Sequence, residues 1–450
     1  MRALLLAFLL LPVVAGAQII STVAGNGSLV YSGDSAAATN ASFYYPMGVA
    51  VDATGNIYIA DALNSVVRKV GTDGNITTVA GTGMAGFGGD GGPATADSAK
   101  LNSPAGLAVD IAGNLYIADA GNGRIRMITT FGTISTVAGG GSSTSDGSVA
   151  TDYSLSAPAG IAFDGAGNMY LTDDGRVYKT VRPGAVTYIN IIAGIGGTGF
   201  SGDGGPATAA LFNEPQGIAV DLAGNVYVAD KSNFRIRQIN TSGTINSVAG
   251  NGDGAGSGFG AFSGDDGPAI SAALNFPTGI AIAPGGSIYI ADRNNNRIRL
   301  LTPSGTITTI AGNGTSGFGG DGGLAADAKL SAPGSVAVDV NGNLFIADEL
   351  NNRIRKITGL GSFTGVNNLP AKPSSISVYP NPATDNFIVS GLNTSDRLCL
   401  YDAIGRQVSA QTATATQLRV DINGLTAGVY FLQVWDASGN AKGRVTIEKE

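Results

Sequence analysis

The sequence predicts an all-β protein made of a six-bladed β-propeller and a small C-terminal β-sandwich. Three observations lead to this prediction: a segment that recurs six times, strand patterns inside each copy, and a change of character after residue 358. Each copy begins with a proline and reaches an aspartate fifteen residues later, with a consensus close to PxGIAVDxxGNLYIAD. The copies are residues 46–61, 104–119, 158–173, 215–230, 277–292 and 333–348. Such repeats indicate one supersecondary unit per propeller blade.

Inside each copy, four short strand patterns follow one another. In the second copy, apolar runs at 106–110 and 115–118 are followed by runs at 124–128 and 133–138, with turn residues between them. Runs that are apolar on successive residues fit sheets covered on both faces by neighbouring blades. The small residues of the first run, such as Gly106, suit the crowded position nearest the propeller axis.

The number of fourth strands predicts how the ring closes. The pattern IxTVAG, or a close variant, follows repeats one to five and is missing after repeat six. A further copy stands at residues 20–25, ahead of the first repeat. We therefore expect the N-terminal strand to complete the last blade, which removes exposed sheet edges.

The repeats resemble NHL repeats, most closely in DLAGNVYVAD at 221–230 followed by NFRIR at 233–237. The resemblance covers about residues 19–358. Repeat five departs from it at 283–287, and repeat three shortens the second turn to Asp173-Asp174-Gly175. The resemblance implies a propeller but no single activity, because NHL propellers serve as enzymes, sensors and binding scaffolds.

The two ends of the chain carry export signals. Residues 1–17 show a basic start at Arg2, an apolar core and an A-G-A cleavage site, the pattern of a secretory signal peptide. No other stretch is apolar enough to cross a membrane, so we expect no transmembrane segment in the mature chain. The predicted domains are the signal peptide at 1–17, the propeller at 18–358, a linker at 359–374 and a C-terminal domain at 375–450.

The C-terminal domain carries three motifs in order: SVYPNPATD at 377–385, LYDAIGRQV at 400–408 and LTAGVYFLQV at 425–434. They resemble the type A C-terminal sorting domain of the type IX secretion system of Bacteroidetes. The resemblance implies recognition by the type IX secretion machinery, delivery to the outer-membrane surface or the medium, and removal of the tail. It assigns the sorting signal to Tyr379, Pro380, Asn381, Pro382, Gly405, Arg406, Gly428, Tyr430 and Lys449. An ordinary adhesion-like terminal domain is the alternative.

Composition excludes several functions. The chain has no histidine, which removes Ser-His-Asp catalysis and histidine-based zinc sites. Its single cysteine, Cys399, lies in an apolar run and is expected to be buried rather than nucleophilic. A net charge of −7 with 13% charged residues is a poor match for nucleic acid.

Carboxylates are the remaining candidates for chemistry or binding. Glycine-rich loops before the first strands carry aspartates, and they emerge on the same face as the turns between the second and third strands. Two interpretations stay open: these aspartates cap their own turns, or they bind a ligand or calcium. The candidate binding residues are Asp90, Asp173, Asp174, Asp203, Asp265 and Asp321. The aspartates that end the second strands are expected to hold the following turn or to pair with Arg124, Arg235, Arg297 and Arg353.

These observations favour a secreted, non-enzymatic binding or interaction module. Its ligand would be an extracellular protein, peptide or glycan. No cofactor is expected, although calcium is possible. The alternatives are a calcium-assisted lyase or hydrolase that uses carboxylates on the loop-rich face, and a structural surface or adhesion component.

Overall fold

The computed structural model describes residues 18–255, 260–283, 285–358, 360, 376–402, 407–435 and 441–449. The chain divides into two compact units, with the boundary between residues 364 and 365. The predicted signal peptide and nearly all of the predicted linker lie outside the described residues. No helix within these ranges is long and apolar enough to cross a membrane.

The described part of the first unit contains six antiparallel sheets, one for each repeat, which we number in repeat order. The first to fourth strands are Pro46–Val51, Ile57–Asp61, Val66–Val70 and Asn75–Ala80 in sheet 1; Pro104–Val109, Leu115–Asp119, Arg124–Ile128 and Ile134–Gly139 in sheet 2; and Ile161–Phe163, Met169–Asp173, Arg176–Val181 and Tyr188–Ala193 in sheet 3. They are Pro215–Val220, Val226–Asp230, Arg235–Ile239 and Ile245–Ala249 in sheet 4; Pro277–Ile282, Ile288–Asp292, Arg297–Leu301 and Thr306–Ala311 in sheet 5; and Pro333–Val338, Leu344–Asp348, Arg353–Thr358 and Ile19–Ala24 in sheet 6. Two-residue strands extend sheets 1, 3 and 5 at Ala36–Ala37, Ser148–Val149 and Gly267–Pro268.

The N-terminal strand lies where the sequence predicts it. Ile19–Ala24 pairs antiparallel with Arg353–Thr358, and Ile20 stands opposite Ile357. Both isoleucines are fully buried. The first segment of the unit therefore supplies the outermost strand of its last sheet.

Short 3-10 helices shape the loops on one face of the sheets. One set follows the second strands, at Ala62–Asn64, Ala120–Asn122, Lys231–Asn233, Arg293–Asn295 and Glu349–Asn351. The other set precedes the first strands, at Ala38–Asn40, Ala150–Asp152, Ala207–Ala209, Ala269–Ser271 and Ala325–Asp327. The first strand pairs antiparallel with the second, so both sets lie at the same end of the sheets, as the strand order predicts. We call this end the loop face.

The first strands meet around a common centre. Each contacts the first strand of the next sheet, and that of sheet 6 contacts that of sheet 1. At Gly106 a Cβ would collide with the backbone carbonyl of Ala159 in sheet 3, and Gly48 and Gly217 face the following sheet in the same way. The predicted crowding at Gly106 is confirmed.

Apolar side chains fill the spaces between neighbouring sheets. One cluster joins Val49 and Ile59 of sheet 1 to Ala347 and Ile354 of sheet 6, and equivalent clusters join the other neighbours. Each sheet is covered on both faces, which explains why its strands are apolar on successive residues.

The second unit contains two sheets in its described residues. One consists of Ser377–Tyr379, Asn386–Ser390 and Gln417–Asp421; the other consists of Arg397–Asp402, Gln407–Thr412, Gly428–Trp435 and Ala441–Lys449. Phe387 and Val389 of the first sheet and Leu400 and Leu432 of the second share one buried cluster, so the unit has its own core. Cys399 is buried, as expected.

Candidate ligand site at the channel mouth

The loop face carries the same buried ion-pair cluster in five sheets. In sheet 4, Arg237 is completely buried, and its Nη2 lies 2.7 Å from Asp203 Oδ1 and its Nη1 3.1 Å from Asp230 Oδ2. One arginine thus joins the loop before the first strand to the end of the second strand. The equivalent arginines are Arg68, Arg126, Arg237, Arg299 and Arg355.

The loop aspartates predicted as binding residues belong to these clusters. Asp90, for example, accepts hydrogen bonds of 2.7 Å from Arg126 and from the Oγ1 atom of Thr136. The four carboxylates keep between 32% and 38% of their surface exposed. They are Asp90, Asp203, Asp265 and Asp321. Each of these aspartates pairs with the buried arginine in the third strand of its sheet. The interpretation that the aspartates cap their own turns did not include this contact.

The aspartates at the ends of the second strands pair with a different arginine from the one expected. Asp230 accepts hydrogen bonds from the backbone N–H of Asn213 at 2.8 Å and from the Asn233 side chain at 2.8 Å, and its ion pair is with Arg237. The expected partner, Arg235, instead lies 3.9 Å from the centroid of the Phe200 ring. The prediction that these aspartates hold the following turn is confirmed by the hydrogen bond from Asn233, which lies in that turn, whereas the alternative pairing with Arg124, Arg235, Arg297 and Arg353 is wrong.

The physical reason is that the two arginines of the third strand, such as Arg235 and Arg237, are buried to different extents. The arginine two residues further along the third strand points into the closed interior of the cluster, where desolvation is greatest. Burial raises the pKa of four of the strand-end aspartates to about 6. Their hydrogen bonds with asparagine side chains and backbone N–H groups, and the nearby arginine, oppose that rise. This group is Asp61, Asp230, Asp292 and Asp348. Because the arrangement recurs in five sheets, it is best explained as scaffold.

Sheet 3 departs from this plan, as its shortened turn indicates. Tyr178 occupies the position of the buried arginine and packs edge-on against Tyr153, with the ring centroids 5.5 Å apart. Asp173 is buried and accepts hydrogen bonds from the backbone N–H groups of Ser156 and Ala157, at 2.9 and 2.6 Å. Asp174 is exposed and has a positive φ of 44°. The two candidate residues of this repeat thus have opposite environments.

The repeats differ in size and charge at the residue directly after the strand-end aspartate. This residue begins the turn between the second and third strands, on the loop face. Its occupants in repeats one to six are Ala62, Ala120, Asp174, Lys231, Arg293 and Glu349. The first strands enclose a central channel, and we call its end on the loop face the mouth. The turns on this face carry small residues in repeats one and two and charged residues in repeats three to six, which we call the charged arc.

A buried ion pair occupies the sheet 5 and sheet 6 part of this arc. The Nε and Nη2 atoms of Arg293 both lie 3.0 Å from Glu349 Oε2, and Nη2 also donates to the hydroxyl of Tyr45. The Glu349 side chain is only 4% exposed and lies over Gly334, which leaves it room. Burial raises the pKa of Glu349 to about 7, against the opposing effect of Arg293.

A second charged pair lies in the sheet 4 part of the arc. Lys231 donates to Glu214 at 2.9 Å, and its ammonium lies 5.8 Å from the centroid of the Phe276 ring. Asp174, Glu214 and Lys231 line one cavity of about 300 Å³. It shares Gln216 with a cavity of about 100 Å³ that the first strands enclose.

The sequence-based reasoning identified Asp174 and missed Glu214, Lys231, Arg293 and Glu349. For Lys231, Arg293 and Glu349 the missed signal is the difference between copies of the repeat at a position that follows an aspartate found in every copy. Among the residues that the structure describes, no three His, Cys, Asp or Glu side chains converge so as to hold a metal ion. Calcium binding stays a prediction.

Residues of the predicted sorting signal come together in the second unit. Asn381 accepts a hydrogen bond of 2.8 Å from the backbone N–H of Glu448, and Lys449 donates to the carbonyl of Thr384. Tyr430 is buried and donates to the carbonyl of Thr426 at 2.7 Å. Tyr379 is exposed; Pro380 and Pro382 lie in the segment that follows it, and Gly428 begins a strand. Gly405 and Arg406 lie outside the described residues.

Family models match both units. A Teneurin NHL domain matches residues 23–87, 195–258 and 235–302, and an NHL repeat matches residues 101–126. A secretion system C-terminal sorting domain matches residues 377–448. The chain carries NHL repeats and a C-terminal sorting domain.

The curated relatives of this NHL-repeat chain are much longer proteins. Teneurin-1 of Gallus gallus is 30% identical over 394 residues, which cover 76% of the chain and 13% of the relative. Protein SUPPRESSOR OF QUENCHING 1, chloroplastic, of Arabidopsis thaliana is 30% identical over 275 residues, which cover 58% of the chain and 25% of the relative. The chain thus spans a quarter or less of the length of these two relatives.

Solved structures show the same fold. An auxiliary nutrient binding protein from Bacteroides ovatus has a TM-score of 0.55 at 18% identity, and one from Bacteroides thetaiotaomicron has 0.54 at 20%; each match covers 76% of both chains. The NHL unit is a β-propeller, and the sorting domain indicates type IX secretion to the cell surface or the extracellular space.

Proposed function

We propose that this NHL protein is a non-enzymatic binding module, exported by the type IX machinery, that holds a small extracellular ligand at the mouth of its central channel. The observation that carries the proposal is the arc of Asp174, Lys231, Arg293 and Glu349. At the neighbouring position, the end of the second strand, every copy of the repeat has an aspartate. Charged side chains concentrated where the repeats differ are better explained by a ligand than by the scaffold.

The proposal includes a closed ring of six blades. The pairing of Ile19–Ala24 with Arg353–Thr358 and the cyclic contacts of the first strands support it. A closed ring fixes the mouth residues of different blades relative to one another, which a preorganised binding site requires.

The names of the structural neighbours support a binding role. The two Bacteroides proteins of the same fold are called auxiliary nutrient binding proteins. A binding module at the cell surface or in the medium would meet nutrients in the same way. We propose no cofactor for this binding.

A ligand screen on the purified full chain tests the proposal. Amino acids, short peptides and oligosaccharides would each be added with and without calcium, and the melting temperature measured. We expect at least one ligand to raise it, because a ligand stabilises by binding the native state. The rise should disappear in Lys231→Ala and persist in Lys329→Ala, which removes an exposed lysine that lines neither cavity.

Three results would each contradict a part of the proposal. Absence of a shift across the screen would reject the small-ligand role and favour a structural one. A ligand recovered with an altered mass after incubation would reject the non-enzymatic part and favour the lyase or hydrolase alternative. A shift that depends on calcium would reject the cofactor-free part.

A further inference from the structure

The cavity beside Lys231 presents both signs of charge to solvent. The Lys231 side chain is 21% exposed and that of its partner Glu214 is 58% exposed. Asp174 is also exposed and borders the same cavity. A ligand in this cavity would therefore meet an ammonium on one side and carboxylates on the other.

This charge pattern selects against ligands with a single charge. A simple amine near Asp174 and Glu214 would face the ammonium of Lys231, and a simple carboxylate near Lys231 would face the two acidic groups. Like charges brought together at a site are unfavourable, whereas a ligand that carries both signs in the matching order satisfies both partners.

The neighbouring part of the mouth extends the pattern. Arg293 is 22% exposed although it pairs with Glu349, so it adds a second cation to the arc. Lys231 lies near enough to Glu349 to lower the pKa of that carboxyl. The order of charges along the arc is thus carboxylate, ammonium, guanidinium and carboxylate.

We propose that the mouth cavity binds a free α-amino acid, with its ammonium against Asp174 and Glu214 and its carboxylate against Lys231. This assignment rests on the proposed function and names its ligand class. The cavity of about 300 Å³ is large enough for one amino acid and too small for a folded domain. Gln216 lines both this cavity and the channel, so the two are neighbours.

The test uses matched ligands on the purified full chain. Each of the twenty standard amino acids is added singly, and the one that raises the melting temperature most is compared by calorimetry with its deaminated and decarboxylated analogues. We expect both analogues to bind at least tenfold more weakly than the amino acid. The deaminated analogue offers no ammonium to Asp174 and Glu214, and the decarboxylated analogue offers no carboxylate to Lys231.

Two variants locate the charges. Asp174→Ala should weaken binding of the amino acid about tenfold and should not weaken binding of the deaminated acid. Lys231→Ala should likewise weaken binding of the amino acid about tenfold and should not weaken binding of the decarboxylated amine. Asp97→Ala and Lys329→Ala, at exposed positions that line neither cavity, are the matched controls and should bind like the unchanged chain.

The outcomes separate this inference from the proposed function. If no amino acid binds, or if an analogue binds as tightly as the amino acid, or if the two mouth variants bind like the controls, the amino-acid assignment is overturned. The proposed function survives that result when another compound of the screen still binds in a Lys231-dependent way.

Discussion

Glu349 occupies the space that Gly334 leaves empty. In the other repeats the residue after the first-strand proline carries a side chain: Met47, Ala105, Ala159, Gln216 and Thr278. In sheet 6 it is a glycine, and the carboxylate of Glu349 lies where a Cβ would stand. A change in one strand is thus matched by a change in the turn beside it, which indicates that the buried Glu349–Arg293 pair is built into the mouth.

Gly334→Ala should lower the free energy of unfolding by about 1–3 kcal/mol, because the new methyl group would displace the Glu349 carboxylate from Arg293. Urea unfolding measures the loss. The double variant Gly334→Ala/Glu349→Ala should be nearly as stable as Glu349→Ala alone, because the carboxylate that the new methyl group would displace is already absent. Gly165→Ala, where no atom approaches a Cβ, is the control; equal losses at both glycines would contradict the steric explanation.

Glu349→Gln should change how stability depends on pH. Burial raises the folded-state pKa of Glu349 from its ordinary value of 4.5 to about 7, so the stability that its bound proton contributes is fully present below pH 4.5 and is lost as pH rises through 7. The glutamine variant cannot titrate, so its stability relative to the unchanged chain should increase between pH 4.5 and pH 7, by on the order of a few kcal/mol at most. Urea unfolding at pH 5 and pH 8 checks this. A difference between the two chains that is the same at both pH values would show that the carboxyl does not titrate in this range.

Arg237→Met should cost more than Asp203→Asn. Removing the arginine leaves the buried carboxylate of Asp230 without its counter-ion, a loss of about 3–5 kcal/mol. Asp203 is 36% exposed, and its removal leaves the Arg237–Asp230 pair in place, so about 1 kcal/mol is expected. The two free energies of unfolding from urea titrations decide the order. Equal losses would mean that Asp203, not Asp230, is the main partner of Arg237.

Deleting residues 18–25 should destabilise the propeller strongly, because it removes the strand that pairs with Arg353–Thr358 and exposes an edge of sheet 6. Truncation after residue 374 should leave the melting temperature of the propeller almost unchanged, because the second unit has its own core. Thermal unfolding of both truncated forms measures the contrast. The closed ring would be rejected by equal melting temperatures.

Removing the sorting domain should stop export. In a Bacteroidetes host, the form that lacks residues 375–450 is expected to stay in the periplasm, while the full-length form reaches the surface or the medium and loses its tail between residues 359 and 377. Cell fractionation and the intact mass of the exported product test this. Asn381→Ala would break the hydrogen bond from Glu448 and should reduce export, with Asn423→Ala, in another turn of the same unit, as control. Equal export of the long and short forms, or a mature mass that includes the tail, would contradict the sorting role.

The propeller could be predicted from the sequence because the same local strand pattern occurs in all six repeats. Each copy gives the strands, the turns and the small residue at Gly106, and the stray pattern at residues 20–25 indicates the partner of the last sheet. The ion pairs could not be derived in the same way. Arg235 and Arg237 both follow the strand-end Asp230, and the sequence does not say which of them is buried.

The sequence by itself determined the β-propeller, the N-terminal strand of its last sheet and the sorting domain, because strand periodicity, repeat number and ordered motifs are local properties of the chain. The tertiary structure decided which charged groups are buried and which border the channel. Glu349, Arg293 and Tyr45 lie far apart in sequence and meet at the mouth because the first strand of sheet 6 is a neighbour of those of sheets 5 and 1. Burial and charge pairing depend on such long-range neighbours, and for that reason the candidate site emerged from the fold rather than from any motif.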